Sequence, residues 1–341
     1  MFRLPRAFPG FACLGLACLA LAALAGCGAA PASPRTAPGT LSRFESDPRV
    51  IVYTSNDWSF STHTFFLEGR DGLVAIDTQF LPSAAAEARA GAEALTGKRV
   101  VVALVLHPNP DKFNGAGTFL AGGARVLTSA AVAERVPAVH AQRKAKFFAT
   151  YAPDYPAEAA PLETFEGPEH LLEAAGLRLR LRAVGPGCSG AHVLVDWEGH
   201  VFGGDLVAAG HHSWLELGLL DDWRARLTEM AAAAPRFVHP GRGSSGGPEL
   251  LPAQRAYLDR VEALVREALL AEFAGGPGGR PPGQDFRRAE PSLPIPMPEE
   301  VLRRLKGVIE AEHPGWDNAH FLRFGLPAVW RREVAARAAK G

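Results

Sequence analysis

His107-Pro108-Asn109-Pro110-Asp111-Lys112 follows directly on an apolar run, Val100 to Leu106. His107 and Asp111 are residue types that zinc accepts as ligands. Lys112 is not, because its ammonium has no lone pair at neutral pH. Three further segments close apolar runs with reactive or charged residues: Val184-Gly185-Pro186-Gly187-Cys188-Ser189, Val201-Phe202-Gly203-Gly204-Asp205-Leu206 and Val238-His239-Pro240-Gly241-Arg242-Gly243. Cys188 and Asp205 are again possible zinc donors. Arg242 is a permanent cation and repels one. Ser244 and Ser245 lie in a glycine-rich stretch, but no Gly-x-Ser-x-Gly elbow on a strand-to-helix turn marks a serine nucleophile.

The elements that must position these residues read as layered α/β structure. Val50 to Thr54, Thr62 to Leu67 and Leu73 to Asp77 are short β-rich runs, with Gly69 and Gly72 at a turn. Ser83 to Leu95 is rich in Ala and Glu and reads as a helix with Ser83 as N-cap. Arg99 to Leu106 reads as a buried parallel strand, followed by a short helical pattern from Ala116 to Leu120. Val126 to Thr128 is a strand, and Ala130 to about Ala149 one long helix. After a proline-rich break from Pro153 to Pro161 come strands at Leu177 to Val184, Val193 to Trp197 and Val201 to Phe202. In the first of these, Arg178, Arg180 and Arg182 alternate with Leu177, Leu179 and Leu181, which predicts a solvated face opposite a dry one. Asp222 to Ala234 is helical, Phe237 to His239 a last short strand, and Leu250 to Phe273 a long amphipathic helix. A Gly/Pro-rich loop, Gly275 to Gly283, leads to helices at Glu299 to Glu312 and Pro327 to Ala339. Two successive β-then-α sets suggest two packed sheets with helices outside.

The first 26 residues read as a targeting segment, with Arg3 and Arg6 ahead of an apolar run, Phe11 to Ala25, too short for a comfortable membrane span. The run ends in Leu24-Ala25-Gly26-Cys27, which looks like a bacterial lipobox. Cys27 would become the lipidated N-terminus, and more than one acyl chain anchors stably without a spanning helix. Gly28 after it resembles outer-membrane sorting. The expected location is the bacterial cell envelope, facing the periplasm. Residues 27–42 read as the lipidated cysteine and a flexible Ala/Pro/Ser/Gly tether, residues 43–274 as one large α/β domain, and residues 275–341 as the Gly/Pro loop and C-terminal helices packed on it. With Cys13, Cys18 and Cys27 assigned to the leader and anchor, Cys188 has no partner for a disulfide. The chain carries 36 Lys+Arg against 36 Asp+Glu, a balance that gives no reason to expect nucleic acid.

From Val50 onward the motifs, in order, resemble the metallo-β-lactamase superfamily. Leu73-Val74-Ala75-Ile76-Asp77-Thr78 is similar to its early strand ending in Asp-Thr. The His107 segment stands where the family writes His-x-His-x-Asp-His. Cys188 stands where a Gly-Pro-Gly-His-Thr would carry its histidine, Asp205 in Phe-Gly-Gly-Asp, and Arg242 where Pro-Gly-His-Gly has its last histidine. The ending from His313-Pro314-Gly315-Trp316 looks like the C-terminal helices of some lactonase- and sulfatase-like members. The resemblance implies an αββα sandwich: two mixed β-sheets face to face, with helices outside. It also implies a pocket of His107, Asn109, Asp111, Lys112, Cys188, Asp205 and Arg242. The family's first zinc would meet His107, Asn109 and Cys188; its second would meet Asp111, Lys112 and Arg242, with Asp205 bridging.

On that placement the second metal is expected to be lost, and Lys112 and Arg242 to take its role as counter-charges to Asp111 and Asp205. A stranded buried carboxylate costs several kcal/mol. Opposite charges a few ångströms apart attract by about 4 kcal/mol at intermediate dielectric. The first expectation is therefore a site without a cofactor that binds a small anionic ligand or an envelope protein without hydrolysis. The alternative keeps one Zn2+ on His107, Asp111, Cys188 and Asp205, with Asp111 as a catalytic residue orienting water for attack on an ester, lactone or amide. A third reading makes the protein a structural envelope component with a vestigial site. Cys188 is expected to fill the space of a lost imidazole, with a reactive thiolate as the alternative. His192 is expected simply to begin the next strand, and His211, His212 and His239 not to ligate.

Overall fold

The computed structural model describes residues 37–274 and 295–338. The targeting run, the lipobox with Cys27 and the Gly275 to Gly283 loop lie outside the described residues. Two mixed sheets form the middle of the molecule. The first has seven strands in the order β1 (Thr40–Phe44), β2 (Asp47–Thr54), β3 (His63–Glu68), β4 (Leu73–Ile76), β5 (Val100–Leu104), β6 (Arg125–Ser129) and β7 (Glu163–Phe165). Its first four strands are antiparallel neighbours, and β4 to β7 run parallel. The second runs β12 (Phe237–His239), β11 (His200–Phe202), β10 (His192–Trp197), β9 (Leu177–Val184) and β8 (Glu169–Ala174). It is antiparallel except between β11 and β12.

The layering follows from side-chain alternation. On β10, Val193 and Val195 join a core with Phe65, Phe66 and Leu67 of the first sheet. Leu194 points the other way, into a second core with Trp223, Leu258 and Leu326. These belong to helices α6 (Leu220–Ala232), α7 (Leu250–Ala274) and α9 (Leu322–Ala338), which with α8 (Glu299–Glu312) cover the second sheet. The first sheet is backed by α1 (Pro82–Thr96) and α3 (Ala116–Ala121) through Ala85, Ala88, Ala92 and Phe119. The short helices α2 (Pro110–Phe113) and α4 (Ala130–Ala133) and the longer α5 (Val136–Tyr151) complete the set used below. β4 and the central part of β5 are buried and apolar without alternation, as parallel strands covered on both faces are.

The arginines of β9 are paired on their wet face, Arg180 with Glu169 and Arg182 with Asp196 at 2.6 Å. Several boundaries differ from the sequence reading. β1 begins inside the stretch read as tether. The polar edge strands β7 and β8 give no apolar signal. The helix expected from Ala130 is two helices, because Pro137 at the start of α5 supplies no amide hydrogen to continue the first. Leu81, not Ser83, is the N-cap of α1, and Ser83 gives its N–H and hydroxyl to the Asp154 carboxylate instead. The last helix starts at Leu322, with Pro327 inside it, because Leu322 and Leu326 bury the turn ahead of the proline. Among the described residues no helix is long and apolar enough to cross a membrane.

Candidate functional site

The segments flagged for chemistry meet at one edge of the sandwich. His107 follows β5, Asp111 and Lys112 sit on α2, Cys188 lies between β9 and β10, Asp205 follows β11, and Arg242 follows β12. The Lys112 carbonyl accepts from both Thr78 N (3.0 Å) and Thr78 Oγ1 (2.7 Å), which pins α2 to the end of β4. Val193 N donates to Leu106 O at 2.7 Å and His63 N to Gly241 O at 3.2 Å, so the two sheets are stitched at the site itself. Gly241 fits against Asp205 because it has no side chain: a Cβ there would lie 2.2 Å from Asp205 Oδ1. Gly204, at φ +55°, makes the left-handed turn that a side chain resists.

The four charged groups form a closed network. Lys112 Nζ lies 2.9 Å from Asp205 Oδ1, 3.1 Å from Asp111 Oδ2 and 3.7 Å from Asp77 Oδ2. Its remaining contact is Thr62 Oγ1 at 3.1 Å. The Arg242 guanidinium spans both carboxylates, Nη1 to Asp205 Oδ2 at 2.6 Å and Nη2 to Asp111 Oδ2 at 2.7 Å, and its Nε donates to Phe60 O. All four side chains are buried. Burial alone would raise the Asp111 and Asp205 carboxyls. For Asp111 the Lys112 ammonium leads in overturning this, and for Asp205 the Arg242 guanidinium, so both are lowered, Asp205 well below the usual range. Lys112 is held charged against burial by Asp111 and Asp205. Asp77 is the exception. Burial pushes it up to about 7 despite Lys112 and the Leu106 N–H that donates to it.

These residues do not fit a second metal. The position between Asp111 and Asp205 is filled by two cations, neither of which can ligate. Around the first-metal position the donors differ from the implied set. Asn109 faces the pocket, whereas His107, Cys188 and His192 bring one ligand atom each to within 4.8 Å of one another. His192 Nε2 is 3.2 Å from Cys188 Sγ and accepts from Ser189 N at 3.3 Å. His107 Nδ1 contacts Ser189 Oγ at 3.1 Å, while its buried Nε2 has no hydrogen-bond partner and stands 3.8 Å from Asp205 Oδ2. Burial depresses His107 to about 4, keeping its imidazole neutral, and raises the Cys188 thiol. The donor chemistry suits one zinc-like ion. His192 was missed by sequence reasoning, and a Cys-x-x-x-His spacing across a tight loop was the available signal.

The other histidines have different partners. His239 bonds His200 (2.8 Å) and Ser245 Oγ (2.8 Å), and His200 reaches Asp47 at 3.3 Å. His211 lies against Asp317 and Asn318, and His212 against Tyr257.

Above the network lies a cavity of about 350 Å³. Asp111, Asp205 and Arg242 reach its floor; Lys112, His107, Cys188 and His192 do not line it. Its walls are aromatic: Phe60, Phe147, Trp214, Phe321 and Phe324 line it, and Trp214 packs on Phe321 and Phe324. Two cations stand in the wall. Arg143 is engaged by Glu216. Lys146 rests on the Phe324 ring at 3.9 Å and, among the described residues, has no ion-pair partner.

Solved structures share this architecture. A metallo-β-lactamase from Pontibacter korlensis is 20% identical with a TM-score of 0.53, over 65% of this chain and 99% of that one. The metallo-β-lactamase FIM-1 from Pseudomonas aeruginosa, in its mono-zinc form, is 20% identical with a TM-score of 0.53, over 66% and 96%. A metallo-β-lactamase from Hirschia baltica is 19% identical with a TM-score of 0.50, over 65% and 98%. The chain thus has the metallo-β-lactamase fold, the αββα sandwich that the motifs imply. No protein-family profile matches the sequence, and no curated protein matches it closely enough to count as a relative.

Proposed function

We propose that this chain is a metallo-β-lactamase-fold binding protein whose dinuclear centre has become an ion-pair network, and that its pocket takes a small amphipathic anion without hydrolysing it. The observation that carries this reading is the Arg242 fork on Asp111 and Asp205, with Lys112 closing the other side. Both carboxylates are neutralised, so neither is free to activate water. Ligand preference follows from the walls. Aromatic faces favour an apolar body, and Lys146 is the cation in the wall still available to an anionic group. The anion-binding role thereby passes from Lys112 and Arg242, which are occupied, to Lys146. We propose further that Cys27 anchors the protein by lipid to the envelope, leaving the pocket in the periplasm.

The second reading, a mononuclear-zinc hydrolase acting on an ester, lactone or amide, is favoured by the His107, Cys188 and His192 donors. It is weakened by their position, since none of them lines the pocket. Calorimetry with 4-phenylbutyrate and its neutral amide tests the first reading. The acid should bind at least tenfold more tightly, and Lys146→Ala should remove that preference. Equal binding of acid and amide would refute anion recognition. Turnover of aryl esters or lactones that disappears in Cys188→Ser would establish the hydrolase.

A further inference from the structure

We propose that His107, Cys188 and His192 form a closed site for a single thiophilic divalent cation, Zn2+ in the first instance, lying behind the pocket floor and serving the fold rather than hydrolysis. Three observations converge. The donor atoms are already gathered within 4.8 Å of one another, and ligands sharing one zinc stand roughly 3.3 to 3.7 Å apart. Cys188 Sγ and His192 Nε2, at 3.2 Å, need to part slightly, Nε2 must release the Ser189 N–H it accepts, and the two imidazole rings stand with centroids 5.2 Å apart. His107 Nε2 is buried without a hydrogen-bond partner, a costly state for a polar atom that a metal would relieve. Ser189 holds the other nitrogen of the same ring, as outer hydrogen bonds commonly orient ligating histidines. Asp205 Oδ2 lies 3.8 Å from His107 Nε2 but is held at 2.6 Å by Arg242 Nη1, so the three gathered donors are His107, Cys188 and His192.

Charge favours this placement. Three carboxylates, Asp77, Asp111 and Asp205, surround two cations, Lys112 and Arg242. A divalent ion bound to one thiolate adds a single positive charge beside these carboxylates. Access argues against hydrolysis: all three ligand residues are at most 2% exposed. Structural zinc sites are closed in this way, whereas catalytic ones keep a position open to substrate. The site differs from the ligand set implied by the resemblance, because His192 replaces Asn109. It is also independent of the ligand preference proposed for the pocket.

Untagged mature protein, stripped with a chelator and titrated with Co2+, provides the test. One Co2+ per chain should bind with a thiolate-to-cobalt charge-transfer band, and Zn2+ should displace it. Cys188→Ser should abolish the band, and His192→Gln should weaken binding at least tenfold. Asn109→Ala should leave it unchanged. Absence of the band at excess Co2+, or a band lost in Asn109→Ala but kept in His192→Gln, overturns the proposal. If His192→Gln fails to fold, X-ray absorption on the zinc-loaded wild type decides: one sulfur and two imidazoles support the site, and a shell without sulfur refutes it.

Discussion

Arg242 Nη1 lies 2.6 Å from Asp205 Oδ2, at the position where the motif resemblance implies a bridged second metal. The same guanidinium reaches Asp111, so one side chain from the loop after β12 ties together the loops after β5 and β11. Buried carboxylates that have lost one counter-charge are far costlier than the intact set.

Lys112→Met therefore leaves Asp111 and Asp205 one cation short in a buried setting. The variant should lose about 3–5 kcal/mol of stability in chemical denaturation. Adding Asp205→Asn to it should recover part of that loss rather than add to it, since the two residues share one network. Strict additivity would mean that the ion pairs do not couple.

Replacing both cations by metal ligands should reopen the second metal position. Lys112→His combined with Arg242→His gathers two imidazoles around Asp111 and Asp205, a donor set that zinc accepts. Metal analysis of the double variant is expected to show one more Zn2+ per chain than the wild type. An unchanged stoichiometry would place the two loops too far apart for ligation.

Acid should destabilise the protein earlier than its carboxylates alone would dictate. Burial holds His63 and His239 at about 3 and His107 at about 4, all below the ordinary histidine value of 6.5. Their unfolded forms take up protons first, so stability is full above about 6.5 and declines as pH falls toward 3 to 4. Asp77, raised to about 7, works in the opposite sense: the advantage it gives at low pH fades as pH rises through 7. Three groups outweigh one, so unfolding free energy measured between pH 8 and 4 should fall with pH. In Asp77→Asn the fall should be steeper than in the wild type.

Gly241→Ala tests the packing of the Arg242 loop on Asp205. A Cβ at this position would meet Asp205 Oδ1 at 2.2 Å and backbone of Gly204 at 2.7 Å. The rigid neighbour is backbone, so the loop must move, and overpacking of this kind typically costs about 1–3 kcal/mol. A thermal midpoint equal to the wild type would show that the loop shifts freely.

Much of the sandwich was legible because its inner strands are continuous apolar runs and its site loops end them with distinctive residues. Asp111, Lys112, Asp205 and Arg242 were brought together as the motif order implied, and their opposite charges made the network foreseeable. Asn109 was not legible: between Pro108 and Pro110 it lines the cavity, which His107 does not. His192 escaped for a different reason. It opens β10, and the turn that folds it back onto Cys188 depends on a hydrogen bond from Ser189 N that no periodicity encodes. The polar edge strands β7 and β8 and the divided helix after Ala130 were hidden because edge pairing and a single missing amide hydrogen outweigh local composition.

The cavity is walled from two distant parts of the chain, α5 on one side and the start of α9 with Phe321 on the other. A guest seated there would act as a clasp between them. Its arrival should be legible far from the floor, as slower amide exchange in both helices together, and specificity could drift through the C-terminal wall while the sandwich beneath stays as it is.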